Sequence, residues 1–93
     1  MIDDSLVLID QLVGRPVVVD TASPYVLIGT LVKRDAAYLE LEQADVHDLR
    51  DTTKTRENYV VDSKRLGVRV NRDRVLVRVD EIVSLSALDD VVV

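Results

Sequence analysis

The stretch Val26-Leu27-Ile28-Gly29-Thr30-Leu31-Val32-Lys33-Arg34-Asp35, followed after Ala36-Ala37 by Tyr38-Leu39-Glu40-Leu41-Glu42, decides the fold. Its aliphatic and β-branched first half predicts a strand over 25–33. Gly29 interrupts that strand, and a missing Cβ there lets a strongly bent strand turn the corner of a small barrel. Arg34-Asp35-Ala36 makes a short connection. The second half predicts another strand over 37–44, because Leu39 and Leu41 alternate with Tyr38, Glu40 and Glu42, giving one buried face and one acidic, wet face.

Toward the N-terminus, Thr21-Ala22-Ser23-Pro24 is a turn, and Val17-Val18-Val19 after Pro16 is a first strand. Asp3, Asp4 and Ser5 offer N-cap oxygens ahead of Leu6, Leu8, Ile9, Leu12 and Val13, whose spacing predicts a helix over 4–13 stopped by Gly14. Toward the C-terminus, 46–53 is polar and unpatterned. Thr53 or Thr55 caps a helix through Leu66, with Tyr59, Val60, Ser63 and Leu66 at helical spacing and Gly67 as its stop. The adjacent Val60 and Val61 suit a strand equally well. Val68-Arg69-Val70 reads as extended and Asn71-Arg72-Asp73 as a turn. Val75, Val77 and Val79, alternating with Arg74, Leu76 and Arg78, form a fourth strand; Asp80-Glu81 is a corner, and Ile82-Val83-Ser84-Leu85-Ser86 is a fifth.

The expected architecture is therefore mainly β: a strongly bent five-stranded small barrel with an N-terminal helix and a helix inserted between strands 3 and 4. An open barrel of this kind leaves two valine-rich edges, which invite pairing with a neighbouring copy, so a homo-oligomer is expected.

Composition sets the outer limits. The 93 residues make one domain, with a formal net charge of -5 and no cysteine. Hydrophobic residues make up 47% but aromatics only 3%, and 19 valines against three tyrosines describe an aliphatic, β-rich core. The missing cysteines exclude thiol catalysis, Cys-ligated zinc and disulfides, and fit a reducing compartment, the cytoplasm. The acidic opening Met1-Ile2-Asp3-Asp4-Ser5 lacks the basic region of a secretory signal, and no apolar run is long enough to span a membrane.

Charge is segregated along the chain. Residues 35–48 hold Asp35, Glu40, Glu42, Asp45 and Asp48 with no Lys or Arg, and 79–93 hold Asp80, Glu81, Asp89 and Asp90. Between them, in 49–78, nine basic residues face only Asp51, Glu57, Asp62 and Asp73. The two kinds of stretch either neutralise each other, within a subunit or between subunits, or the arginines line a face that collects phosphate.

These residues resemble the Sm and Sm-like (LSm) family. The first motif is the stretch that ends at Glu42, with Gly29 in the bent strand and Asp35 at its end. The family's other motif is matched by Val75-Leu76-Val77-Arg78-Val79-Asp80-Glu81-Ile82-Val83-Ser84-Leu85-Ser86. Leu12-Val13-Gly14-Arg15-Pro16 resembles the family's lead-in. On this reading residues 1–14 are the N-terminal helix, 15–45 the first motif region, 46–74 an insertion, 75–86 the second motif and 87–93 a tail. The resemblance implies a homo-oligomeric ring of about five to seven subunits, with single-stranded RNA bound around its pore. It assigns RNA contact to Asp35, which orients its loop, Arg78 and Asp80, and Tyr38 joins these as a candidate contact. Two positions depart from the pattern. The family's base-binding asparagine is absent, leaving Tyr38 at or next to its place as a stacking platform, and Val79 stands where the family has glycine. An Sm-like oligomeric scaffold that has lost RNA binding is the alternative.

Other chemistry finds little footing. His47 with Asp45 and Asp48 has the residue types of a metal site, yet adjacent loop residues rarely converge on one ion. Ser84 and Ser86 have no histidine nearby in sequence, Glu40 and Glu42 sit on a wet face, and the three glycines form no phosphate loop. Neither an enzyme nor a bound cofactor is expected. The remaining candidates are phosphate contacts from Arg69, Arg72 and Arg74. If these bind phosphate, their joint replacement by Ala abolishes oligonucleotide binding at low salt; unchanged affinity makes them structural.

Overall fold

The computed structural model describes residues 4–93, with side chains from Val7 onward. Helix α1 spans Asp4–Asp10, and strands β1 Pro16–Thr21, β2 Tyr25–Arg34 and β3 Tyr38–Asp48 follow. Helix α2, Arg56–Leu66, separates them from β4 Arg72–Arg78 and β5 Ile82–Ala87. Short 3-10 turns cover Leu49–Asp51, Val79–Glu81 and Leu88–Asp90. The strands form one sheet in the order β4-β3-β2-β1-β5, every pair antiparallel, so β4 and β5 are its free edges. No helix among the described residues is long and apolar enough to cross a membrane.

The sheet bends where β2 meets β3. A Cβ on Gly29 would lie 2.9 Å from the Ala44 Cβ, 3.0 Å from its Cα and 3.1 Å from the Glu42 carbonyl oxygen. Beside this approach the register shifts and Gln43 takes a positive φ of 50°, the signature of a bulge that increases bend and twist. The bend wraps the sheet around a concave core of Val17, Val19, Leu27, Leu31, Leu39, Leu41, Ala44 and Val77, completed by Val75, Ile82 and Leu85. Every strand contributes, and Ile9 and Leu12 pack against the same cluster from the N-terminal segment.

A second core lies on the opposite face. Val18, Val26 and Ile28, pointing away from the first core, are covered by Tyr59 and Val60 of α2 and by Leu88. Each such burial contributes ~1.5–3 kcal/mol, which is why an 11-residue helix of low amphipathicity is held in place. Thr55 is its N-cap, accepting from the Asn58 amide at 3.1 Å, and Gly67 ends it at φ 100°, a conformation that favours glycine. The strand alternative at Val60-Val61 is thereby excluded.

Several boundaries differ from expectation, each for a tertiary reason. Helix α1 stops at Asp10 instead of 13, because Leu12 bonds back to the Ile9 carbonyl in a tighter turn. The caps expected from Asp3, Asp4 and Ser5 lie outside the described side chains. Strand β3 runs on to Asp48 rather than 44, since Val46, His47 and Asp48 pair with Leu27, Val26 and Tyr25. Of the expected turn at Asn71-Arg72-Asp73, Arg72 and Asp73 are instead the start of β4, and Asn71 stands just before it. Asn71 extends the ladder with its side chain, accepting from the Val46 amide at 2.9 Å and donating to the Val46 carbonyl and Asp45 Oδ1, both at 3.0 Å. The β3 face expected to be acidic and wet is only partly so: Glu42 is exposed, but Glu40 is buried beneath Arg74 at 3.0 Å.

Beneath α2, the Tyr59 hydroxyl donates to Asp45 Oδ2 at 2.6 Å, and burial together with that carboxylate pushes the phenol well above its ordinary pKa. Asp45 thus has both oxygens satisfied inside the second core.

Two outcomes follow. Gly29→Ala lowers the unfolding free energy by ~1–3 kcal/mol in urea denaturation, because the obstructing atoms are mostly backbone and cannot swing aside. Tyr59→Phe lowers it by ~1–3 kcal/mol as well, since it leaves a buried carboxylate oxygen without its donor; an unchanged midpoint would show that water replaces the phenol.

Candidate nucleic-acid interface

Two connections meet at one end of the sheet. The β2–β3 connection is three residues long, and Asp35 shapes it: its Oδ1 accepts from the amides of Ala37 and Tyr38, both at 2.8 Å. The Asp35 amide in turn donates to the Tyr38 carbonyl at 2.9 Å. Those two amides hold the Asp35 carboxyl below the usual carboxylate range even though it is exposed. The β4–β5 corner is the 3-10 turn of Val79–Glu81, and the Val79 amide donates to the Ala37 carbonyl at 2.8 Å, tying the two connections together.

The pairing of β3 with β4 places Tyr38 directly opposite Arg78, and both are exposed. Asp80, one turn residue further on, has a carboxylate oxygen 3.8 Å from Arg78 Nη2. Asp35, Tyr38, Arg78 and Asp80 are therefore neighbours in space although they come from two motifs far apart in sequence. Together they offer a phenol ring, a guanidinium group and a carboxylate beside a rigid backbone loop. Such a set can stack on and hydrogen-bond a planar, polar ring.

The three arginines considered as phosphate contacts are divided. Arg74 donates from Nη2 to Glu40 and lines a small cavity of about 330 Å³ with Tyr38, Asp35 and Leu76. The side chain of Arg72, at the opposite end of β4, bonds only the Asn71 carbonyl among the described residues, and Arg69 lies in the segment before it. The cavity also takes in Lys33 and Arg34, which sequence reasoning does not single out as contacts. The run Lys33-Arg34-Asp35 at a strand end is the available signal. Arg34 is largely buried and approaches Asp10 at 3.4 Å, linking β2 to the end of α1.

The residues with metal-ligand chemistry go separate ways. His47 stacks on Tyr59, ring centroids 4.0 Å apart and planes within 5°. Asp45 receives the Tyr59 and Asn71 donors, whereas Asp48 caps the following turn and grips Arg50, which lowers its pKa to about 2. Ser84 donates to Asp20, whose other oxygen binds Arg56 at the start of α2.

No family model matches the sequence, and no curated protein does so either. Solved structures do match in three dimensions. An Sm protein of Pyrococcus abyssii, solved in complex with a uridine heptamer, superposes with a TM-score of 0.62 over 91% of this chain and 99% of its own, at 16% identity. An Sm-like protein of Archaeoglobus fulgidus gives a TM-score of 0.60 over 94% and 96%, at 15% identity. At such identities the likeness speaks for architecture, and on that ground this chain has the Sm-like fold.

Proposed function

We propose that this protein assembles through its free β4 and β5 edges into a homo-oligomeric ring and binds single-stranded RNA on the surface formed by Asp35, Tyr38, Arg78 and Asp80. The observation that carries the reading is the cross-strand pair Tyr38 and Arg78, exposed side by side and locked to the β2–β3 connection by the Val79 amide. An aromatic face and a guanidinium plane both stack on nucleobases regardless of sequence, at ~1–3 kcal/mol per base for the aromatic. Asp35 acts indirectly, by holding the loop that carries Tyr38. Asp80 supplies an acceptor for a base N–H, while its charge disfavours contact with phosphate. The Pyrococcus protein's uridine heptamer lends support, since it shows an Sm protein of this architecture holding an RNA strand.

Assembly is supported by the edges themselves. Strand β5 exposes Val83, Ser84 and Ser86, and β4 exposes Leu76 at 48%, so both carry backbone groups and apolar side chains that pairing would satisfy. The second reading is an oligomeric scaffold without RNA. It is favoured by the acidic balance of the chain and by Val79, whose Cβ occupies the corner next to Tyr38.

One experiment separates the readings: labelled U-rich and A-rich oligonucleotides are titrated into the protein at ~50 mM salt, where phosphate affinity is strongest, while its mass in solution is measured. The expected result is an oligomer that binds, with Tyr38→Ala weakening binding by ~5- to 150-fold and leaving the mass unchanged. A monomer overturns the ring, and an oligomer without binding leaves the scaffold.

A further inference from the structure

The segment that joins α2 to β4 is unusually open. Leu66, the last residue of α2, is 83% exposed and Val70 46% exposed, and the side chains of Arg65 and Arg69 have no hydrogen bond or ion pair among the described residues. Among the described residues the Arg72 side chain bonds only the carbonyl of the adjacent Asn71. Alongside runs a cleft of about 590 Å³ between the α2–β4 segment and β3, lined by Leu66, Arg69 and Val70 on one side and by His47, Tyr59 and Lys54 on others. Lys54 is paired with Asp62 there, so the rim beside the α2–β4 segment presents Arg69 with the exposed Leu66 and Val70.

The segment after β5 has the complementary character. Asp89 and Asp90 are exposed and form no ion pair among the described residues, and Val92 and Val93 are 89% and 58% exposed. This segment is nonetheless held firmly. Lys64 Nζ donates to the carbonyls of Asp89 at 2.8 Å and Val91 at 2.5 Å, Leu88 is buried, and Val91 packs on the second core. An acidic, valine-bearing strip is thus fixed in position on the subunit's own α2, with its charged and apolar side chains turned to solvent.

The two strips lie at corresponding ends of the two free edges. All four strand pairs of the sheet are antiparallel. When a second copy adds its β5 to β4 in that same sense, the Arg72 end of β4 lies beside the Ala87 end of the neighbour's β5. Residues 65–71 then run alongside residues 88–93 of the next copy. We infer that the α2–β4 segment of one subunit is the seat for residues 88–93 of the next, with Arg69 and Arg72 opposing Asp89 and Asp90 and Leu66 and Val70 covering Val92 and Val93. This inference rests on the edge-to-edge assembly proposed above, and adds to it that the insertion is an interlock between copies. It also accounts for charge that the subunit leaves unneutralised: the basic residues of 65–72 and the acidic pair after β5 have no ion-pair partners at home among the described residues but face each other across copies. Because contact is heterologous, each subunit uses both strips once, as ring closure requires.

Charge reversal and swapping test it, by mass in solution over a range of protein concentrations, with circular dichroism and thermal melting to verify folding. R69E/R72E and D89K/D90K are each expected to raise the concentration needed for assembly at least ~10-fold, because like charges then oppose across the contact. The chain carrying all four substitutions restores the swapped pairs and regains assembly. Added salt weakens wild-type assembly as exposed charges are screened. If the wild type is an oligomer and either double variant assembles like it, or the fourfold variant fails to regain assembly, the interlock is wrong while edge pairing stands. Loss of oligonucleotide binding in R69E/R72E with unchanged assembly likewise overturns it and makes these arginines phosphate contacts. A monomeric wild type removes both proposals.

Discussion

The close approach of β2 and β3 at Gly29 is the constraint from which the rest of the molecule follows. A five-stranded sheet cannot enclose a core if it stays flat. By allowing the Ala44 and Glu42 backbone to come within about 3 Å of where a Cβ would stand, Gly29 lets the sheet close on a concave core fed by every strand. The bulge at Gln43 takes up the length mismatch that the bend creates. The β2–β3 connection meets the β4–β5 corner because the β3–β4 ladder carries on one step past Tyr38 and Arg78, where the Val79 amide reaches the Ala37 carbonyl. The candidate interface is thus a product of that strand register as much as of its own residues.

The convex face required a second solution. Val18, Val26 and Ile28 alternate away from the concave core, and α2 with Leu88 covers them. Burying that face also buries Asp45, which in an apolar setting demands compensation. Tyr59 from the helix and Asn71 from just ahead of β4 supply it from two directions. The insertion is therefore integral to the domain and not an appendage on it, and it leaves its last turn and the following segment free to serve another purpose.

Charge follows the same division of labour. Glu40 with Arg74 and Asp20 with Arg56 neutralise acidic and basic stretches inside the subunit, and Asp48 with Arg50 does so locally. Among the charge left over is that of the basic residues ahead of β4 and of the acidic pair after β5. A net charge of -5 is thus compatible with local surfaces of either sign.

The order of the strands along the chain, the bent second strand, a threonine cap at 53 or 55, the Gly67 stop and the membership of Asp35 and Arg78 in two short motifs were readable from the sequence, because each depends on residues within a few positions of one another. Periodicity, caps and glycine are local signals. Tertiary structure alone decided that β3 continues to Asp48, that a strand opens at Arg72 behind Asn71, that Glu40 is buried and that Arg74 is committed to it. For Asn71 and Arg74 a polar residue takes its meaning from a partner 25 or more positions away. The same holds for the site: the sequence named its four residues by their motifs, whereas their meeting, and the addition of Lys33 and Arg34 beside them, came from the register of β3 on β4 and the hydrogen bond between two connections. A sequence reports a side chain's chemistry, but burial and pairing are properties of the folded sheet.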